Sequence, residues 1–492
     1  MQRSVTDENG RKYNLVRKLG SGGQGTVWGT DDQDFAIKLI QGNSKQKRDE
    51  IRQRIAAVKR MDFGRLPLAR PLTALAAPDT GYVMELMSGL ESLECLIRPA
   101  RGQQTTFRAY FTGSGGLLRR LRVLARAAAL LSELHCLGYA YGDLSPGNIF
   151  ISENVERYEC WLIDCDNIRT ATTGHSGSQI YTPGYGAPEV VQKLAPASTL
   201  SDAYSFAIIA YQVLTLTHPF LGKMVNEGEP ELEELAFSGE LPWVGDPDDD
   251  SNSGDFGVPS ELVLSPVIRK LFQKTFGAGK SNPRARIFLD EWATSLFTAA
   301  DMAIGCAGCS NQYFYLKREL KTCPWPGCDR PRSDLIWADL YLWDPAEPEY
   351  HKEITGLALR SNREQGKNTP GSIPSVSRKK LAMAISSTRD SIELTRRQVE
   401  LRRPTSLDLD EVFCSVEADN QHLKFRNSSS MELGISRGSV DDLIARKLKV
   451  TPLPEGKTGS GELKPGKSIN LHFGALDEMH IYAEITRNKE GG

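Results

Sequence analysis

An acid and an amide five residues apart, Asp143 and Asn148, constrain this chain more than any other feature. They lie in Tyr141-Gly142-Asp143-Leu144-Ser145-Pro146-Gly147-Asn148-Ile149, between two apolar runs. In the run before them, Leu121, Leu124, Ala128, Leu131 and Leu134 recur at helical spacing, and the run after them reads as a strand. A polar loop carried from helix to strand calls for a mixed domain of some size. The 492 residues exceed one core, and suggest roughly two to four domains, one of them near 250–300 residues. A net charge of -2, with 40% apolar and 25% charged residues, gives no overall field to draw DNA or an acidic membrane.

The chain divides by pattern. Residues from Tyr13 to about Gly89 read as short strands and turns with one helical stretch, Lys45 to Met61, and a mostly helical region follows, with further helices near Asp202 and Val267. Arg98 to Gly116 reads as a loop, and the acidic, Pro/Gly-rich Gly228 to Pro259 as a mobile surface insertion. Thr369 to Ser377 reads as a linker and Val376 to Arg403 as an exposed basic helix. From Glu411 onward, strand-like runs between turn clusters suggest a small β-sandwich. The segment Met1 to Glu8 lacks the apolar core of a signal peptide, and no apolar run reaches the ~18 residues of a membrane span. The expectation is a soluble cytoplasmic protein with no membrane partner.

Several motifs suit phosphate chemistry. Gly20-Ser21-Gly22-Gly23-Gln24-Gly25-Thr26-Val27 lies between two strand-like runs, where glycines let backbone amides approach phosphate oxygens. A dinucleotide site would start a helix within the glycines, whereas Val27-Trp28 continues as strand. Phe35-Ala36-Ile37-Lys38 ends a strand with a lysine, either an edge residue in water or a buried cation that needs a partner. Glu50 on the next helix is the expected partner, with Asp49 in competition. In phosphoryl transfer a carboxylate orients the hydroxyl proton and a side-chain carbonyl helps hold the metal, jobs that suit Asp143 and Asn148. Trp161-Leu162-Ile163-Asp164-Cys165-Asp166 is an apolar strand ending in acids, with Asp164 the candidate Mg2+ ligand.

With these residues in this order, the segment from about Tyr13 to Phe297 resembles the eukaryotic-like (Hanks-type) Ser/Thr protein kinases. The resemblance extends to a hinge at Met84-Glu85-Leu86-Met87, with Glu85 and Met87 beside the nucleotide. It also takes in Ala187-Pro188-Glu189 for A-P-E, Asp202 as support of the Asp143 loop, and Arg286 as partner of Glu189. It implies an α+β, bilobal kinase-like fold over residues 11–300. It further implies ATP and Mg2+ as cofactors, held by Gly20, Gly22, Gly25, Val27, Lys38, Glu50, Asn148 and Asp164, with Lys38 and Asp143 serving the chemistry. The expected substrates are Ser or Thr residues of a partner protein.

Three positions depart from the family. Tyr141-Gly142 stands where His-Arg is usual, so no adjacent cation is expected to read a phosphate on the activation segment. Ser145 replaces a lysine that neutralises the moving phosphate, and Asp166 replaces the last glycine of D-F-G, either as a further metal ligand or as a rigidifying substitution. Two other classes therefore stand beside the protein kinase: a nucleotide-binding scaffold without catalysis, and a small-molecule phosphotransferase resembling aminoglycoside kinases, which share a G-D-x-x-x-x-N loop. Those small-molecule enzymes lack A-P-E.

Of nine cysteines, Cys306, Cys309, Cys323 and Cys328 give C-x2-C-x13-C-x4-C, a spacing that suits one structural Zn2+ better than disulfides in a reducing compartment. Residues 301–335 look like a zinc ribbon, 336–405 like a linker with the basic helix, and 406–492 like a β-rich interaction module. The cluster also makes the chain resemble a bacterial kinase subgroup carrying cysteines after the kinase domain. Some relatives of that subgroup are associated with a von Willebrand A protein and a metal-dependent phosphatase in stress responses. The basic stretch at Arg396-Arg397 has no aromatic platform, so nucleic acid is not an expected partner.

Overall fold

The computed structural model describes residues 3–22, 25–99, 104–170, 181–254, 257–306, 308–314, 322–331 and 335–343, and beyond these the strands and turns named below as far as 487. Two compact units divide the chain, residues 1–296 and 297–492.

The first unit begins with six antiparallel strands: β1 (Ser4–Thr6), β2 (Lys12–Gly22), β3 (Gly25–Thr30), β4 (Phe35–Leu39), β5 (Thr73–Ala74) and β6 (Gly81–Glu85), in the order β1-β2-β3-β4-β6-β5. Alternation along the strands buries both faces. Tyr13, Leu15, Ile37 and Val83 share one cluster, while Ala36, Tyr82 and Met84 face a second one with Ile51 and Ile55 of helix α1 (Lys45–Lys59). Ser44 starts α1 by accepting from the Lys47 amide. Because β1 pairs with β2, this sheet reaches N-terminal to the expected boundary at residue 11.

The rest of the unit is built around α3 (Gly116–Cys136) and α5 (Thr199–Thr215), preceded by α2 (Phe107–Gly113) and α4 (Pro188–Val191) respectively. A capping box of Ser198 and Ser201 opens α5, which is buried along nearly its whole length. Fully buried Arg120 of α3 donates to the carbonyls of Leu96, Phe111, Gly116 and Val213, tying three segments together. Short strands β7 (Leu90–Ser92), β8 (Tyr139–Ala140), β9 (Ile149–Ser152), β10 (Cys160–Leu162) and β11 (Arg169–Thr170) frame the loops between the helices.

The structure corrects three expectations. Arg98 to Gly116 is not simply a loop, since α2 occupies its second half, with Phe111 in the core. The acidic Gly228 to Pro259 carries a helix, Glu231–Phe237, and is anchored by buried Trp243, whose ring meets Tyr211 edge-on at 5.8 Å. Asn252 fastens the same segment by donating to the carbonyls of Phe220 and Pro242. The basic stretch expected to be helical instead contains strands Lys380–Ala384 and Ser391–Thr395, and polar and apolar residues alternate in the second. The linker at Thr369–Ser377 lies outside the described residues.

In the second unit, Ala303–Gly305 and Gln312–Phe314 form a hairpin beside the four cysteines. Further on, strand Leu335–Trp343 pairs with Lys352–Glu353, Lys380–Ala384 and His480–Arg487, and the same sheet continues through Ser468–Phe473, Leu433–Arg437 and Thr451–Leu453. A four-stranded sheet joins Ser391–Thr395, Val412–Ala418, His422–Asn427 and Thr458–Glu462. Residues expected to form a linker therefore supply strands to both sheets. Among the described residues, no helix is long and apolar enough to cross a membrane.

Glu189 of α4 receives both terminal nitrogens of Arg286 at 2.7 Å, and the guanidinium lies 4.7 Å from the Tyr204 ring. Arg286→Met should destabilise the first unit by roughly 3–5 kcal/mol, the cost of stranding one partner of a buried pair. Urea unfolding followed by tryptophan fluorescence measures this, and an unchanged midpoint would contradict it.

Candidate active site

Lys38 sits near the end of β4, in register with Val27 of β3 and Tyr82 of β6, and its side chain is only 2% exposed. A buried ammonium is costly unless carboxylates face it. Two do, Asp166 at 2.7 Å and Asp164 at 3.2 Å. Asp166 is 0% exposed and takes two further donors, the Tyr82 hydroxyl at 3.1 Å and Arg54 of α1 at 2.9 Å. Burial works against both charged forms, yet the opposite charges win: Asp166 and Asp164 hold the Lys38 pKa above its ordinary value, and Lys38 with Arg54 holds that of Asp166 below.

The expected pairing of Lys38 with Glu50 is corrected. Glu50 is 52% exposed and contacts Lys47, and Asp49 faces Arg52. The reason is helical phase: Ile51, Ile55 and Val58 form the buried stripe, and Glu50 lies about 100° round the helix from Ile51. Arg54 stands closer to the stripe and is the charged residue of α1 that reaches the site.

The loop carrying Asp143 is held from behind by Asp202 of α5. Its carboxylate accepts from the amides of Tyr141 at 2.7 Å and Gly142 at 2.9 Å, and lies 3.1 Å from the His135 ring. The Tyr141 hydroxyl donates to the carbonyl of Ile163, joining this loop to the one that bears Asp164. Asp143 accepts from the Thr182 hydroxyl at 2.8 Å, and its backbone carbonyl accepts from the Asn148 amide at 2.8 Å. That bond uses the nitrogen of Asn148 and leaves its oxygen as the atom that can meet a cation. Asp164 itself has φ 55 and ψ 37, a left-handed turn that ends the apolar strand and sets the carboxylate beside Lys38.

Gly142 also has positive φ (88), and a Cβ there would stand 3.4 Å from the Arg169 guanidinium. The expectation of no cation beside this loop is thus corrected: the Arg169 guanidinium of β11 lies next to Gly142. Of the hairpin glycines, Gly25 is required by the fold itself, since a Cβ would lie 2.3 Å from the Leu39 carbonyl. At Gly20 and Gly22 a Cβ would meet open space, so the sheet does not call for glycine there. Val27, Leu86, Met87 and Ile163 pack on Ala36, Tyr82 and Met84, giving the site an apolar wall. Glu85 ends β6 with an exposed side chain, and Leu86 donates to the Asp34 carbonyl.

Sequence reasoning missed Arg54 and Tyr82 and left Asp166 undecided. The helical phase of Ile51, Ile55 and Val58 carried the signal for Arg54. Tyr82 reads as another core aromatic, and only the strand register places its hydroxyl opposite Lys38.

Elsewhere, Cys306, Cys309, Cys323 and Cys328 converge with all four sulfurs within 4.8 Å of one another. The Sγ–Sγ distances are 3.7 Å for Cys306–Cys328 and 3.8 Å for Cys309–Cys323.

A glycine-rich hairpin, a buried lysine facing two acids, and a loop acid fixed from a central helix are the working parts of a kinase fold. The family model described as the protein kinase domain matches residues 13–277, more than half of the chain, which belongs to that family. It is similar to the serine/threonine-protein kinase pkn2 of Myxococcus xanthus, at 28% identity over 235 residues, or 43% of this chain and 25% of the relative. The DNA damage-responsive serine/threonine-protein kinase RqkA of Deinococcus radiodurans is 25% identical over 221 residues, 43% of this chain and 31% of the relative. PknA of Corynebacterium glutamicum, also a serine/threonine-protein kinase, is 24% identical over 244 residues, 45% of this chain and 49% of the relative. The chain thus matches between a quarter and a half of these relatives' lengths.

The platform around Thr182 and Glu189 also rests on His218, whose Nε2–H donates to the Gly184 carbonyl at 2.9 Å while its Nδ1 accepts from the Phe220 amide. Burial pushes its pKa from 6.5 to about 4, with the Gly184 bond pulling the other way. Between those values the unfolded chain binds a proton that the folded one refuses, so stability falls as pH drops from 6.5 to about 4. In His218→Gln the loss of urea midpoint across that window should be smaller than in wild type. Identical pH slopes would contradict the assignment.

Proposed function

We propose that the chain is an ATP- and Mg2+-dependent protein kinase that phosphorylates Ser or Thr of a partner protein. The observation that carries this reading is the pairing of Asp143 with the Thr182 hydroxyl, beside a platform anchored by Glu189 and Arg286. A small-molecule phosphotransferase has no need of that platform. In the proposed reaction the substrate hydroxyl oxygen forms a bond to the γ-phosphorus as the bond to the β–γ bridging oxygen breaks and ADP leaves. Asp143 orients the attacking hydroxyl and takes its proton. Lys38 holds the α- and β-phosphates, and the apolar wall of Val27, Ala36, Met84 and Met87 suits a purine ring. Gly20 and Gly22, for which the sheet has no use, suit amides that approach phosphate oxygens.

The donor set fits a hard cation. The Asp164 carboxylate, 25% exposed, and the Asn148 side-chain oxygen would hold Mg2+, which neutralises charge on the phosphates when bound. The cysteine cluster fits zinc: four sulfurs at about 2.3 Å from one ion in tetrahedral array stand roughly 3.8 Å apart, close to the separations found here. With four thiolates and no open position, such a zinc would be structural.

We further propose that the C-terminal sheets bind protein partners. The von Willebrand A protein and metal-dependent phosphatase implied by the subgroup resemblance are the first candidates, with bacterial stress signalling as the setting. One observation favours a second reading: buried Ser145 stands where the family keeps a cation, which suits a scaffold that binds nucleotide without turning it over.

Incubation with Mg2+ and γ-labelled ATP, alone and with candidate partners, separates these readings. Wild type should label itself or a protein, and Asp143→Asn should remove labelling by about a hundredfold or more with nucleotide binding retained. Asp164→Asn should instead weaken binding that depends on Mg2+. Wild type that binds ATP and labels nothing would establish the scaffold. For the zinc site, metal analysis of protein purified without chelator should give one Zn2+ per chain. Cys323→Ser should lose it and expose residues 301–335 to protease, leaving turnover of a generic substrate nearly unchanged. Zinc-free wild type, or a disulfide among these cysteines under reducing conditions, would overturn the assignment.

A further inference from the structure

The family places the acid that pairs with the strand lysine on the helix after it. Here the inward face of α1 carries Ile51, Arg54, Ile55 and Val58, and its acids Asp49 and Glu50 are turned to solvent, paired with Arg52 and Lys47. The helix therefore brings a second cation toward Lys38. Both cations end on one carboxylate, that of Asp166, two residues beyond Asp164 in the loop after β10.

We propose that Asp166 is the positioning residue for Lys38 and that Arg54 couples helix α1 to it, so that the acid of the ion pair comes from the strand-end loop and the helix supplies a cation. This rests on the phosphotransfer reading above. Asp166 is well suited to this work and poorly suited to a metal. One of its oxygens takes Lys38 at 2.7 Å and Tyr82 at 3.1 Å, and the other takes Arg54 at 2.9 Å. Its side chain is 0% exposed. Ligation of a metal would require breaking charge-assisted bonds in a buried site, where stranded charges are costly. Asp164 differs on each count: it is a quarter exposed and its contact with Lys38 is longer, 3.2 Å. The two acids divide the labour, Asp164 toward the cation and Asp166 toward the lysine.

The arrangement also has a mechanical consequence. A shift of α1 pulls on Arg54, and through Asp166 it moves the ammonium that grips the phosphates. The helix controls the lysine indirectly, with a carboxylate from the other lobe's loop as the link, so all three groups must be in place together.

The experiment compares full-length wild type with Asp166→Asn, Asp164→Asn, Arg54→Met and the double variant Arg54→Glu with Asp166→Gly. Circular dichroism first establishes that each is folded. Kinetics on a generic protein substrate then give kcat, KM for ATP and the Mg2+ concentration for half-maximal rate. Mass spectrometry gives the pH dependence of Lys38 acylation by an amine-directed reagent, a readout that needs no phosphotransfer. Asp166→Asn should lower kcat by about a hundredfold, as expected for a misplaced phosphate ligand, with the Mg2+ requirement changed by less than about threefold. Its Lys38 should acylate at lower pH than in wild type, because the ammonium has lost its closest anion. Arg54→Met should fall in the same direction by a smaller factor. The double variant returns the acid to the helix and should be about tenfold more active than Asp166→Asn, a coupling of the size that direct partners show.

An increased Mg2+ requirement in Asp166→Asn, like that expected of Asp164→Asn, would make Asp166 a metal ligand and overturn the proposal. So would unchanged kcat with unchanged Lys38 acylation. A double variant no better than Asp166→Asn would refute position 54 as the point of coupling. Wild type without phosphotransfer would defeat the kinase reading by itself, and the acylation profile would still decide whether Asp166 holds Lys38.

Discussion

One buried carboxylate joins four parts of this molecule. Asp166 receives Lys38 from β4, Tyr82 from β6 and Arg54 from α1, while it belongs itself to the loop that follows β10. An isolated charge in such a place costs several kcal/mol of desolvation, and three directed donors offset that only when all are correctly placed. The requirement acts as a geometric lock: the sheet, the helix and the loop of the larger lobe are stable together in one relative arrangement. Asp164, two residues away and in a left-handed turn, has its position set by the same lock.

The same device recurs deeper in the fold. Asp202, on the central helix α5, accepts two backbone amides from the loop of Asp143, and Glu189 accepts both nitrogens of Arg286. In each case a carboxylate on one element takes donors from another distant in sequence, so the candidate site is assembled by long-range polar contacts against an aromatic core of Tyr204, Tyr211, Phe272 and Trp292. Such donors and acceptors are oriented before any ligand arrives, and in a site of low polarity that is what makes electrostatic stabilisation effective. Beside Gly142 a neighbouring strand, β11, places the Arg169 guanidinium against the same loop.

Much of this was legible in the sequence wherever the signal was local. The apolar periodicity before Tyr141 gave α3, and the acid–amide spacing gave the loop that Asp202 supports. The order of motifs gave the family, which the match over residues 13–277 establishes. What failed was phase and partnership. Glu50 was expected to face Lys38 because acids near that point of the helix commonly do, but three aliphatic residues fix which side of α1 is inward, and Glu50 is not on it. Arg169 reaches its neighbour through space and its place in the sequence carries no trace of that, while for Arg54 the aliphatic stripe marks the side of α1 but not the acid it meets. The basic segment expected to be helical has strands because its residues find partners far away, Lys380–Ala384 on Leu335–Trp343 and Ser391–Thr395 on Val412–Ala418, and intrinsic propensity gives way to such pairing.

Two neighbouring acids, Asp164 and Asp166, divide two tasks between them, and locating the metal tests that division most directly. Crystals of the full chain grown with Mn2+ and a non-hydrolysable ATP analogue would mark the cation by its anomalous scattering. The expected result is a metal held by Asp164 and Asn148, with Asp166 still bonded to Lys38 and Arg54. A metal carrying Asp166 as a ligand, with Lys38 turned to another acid, would contradict it.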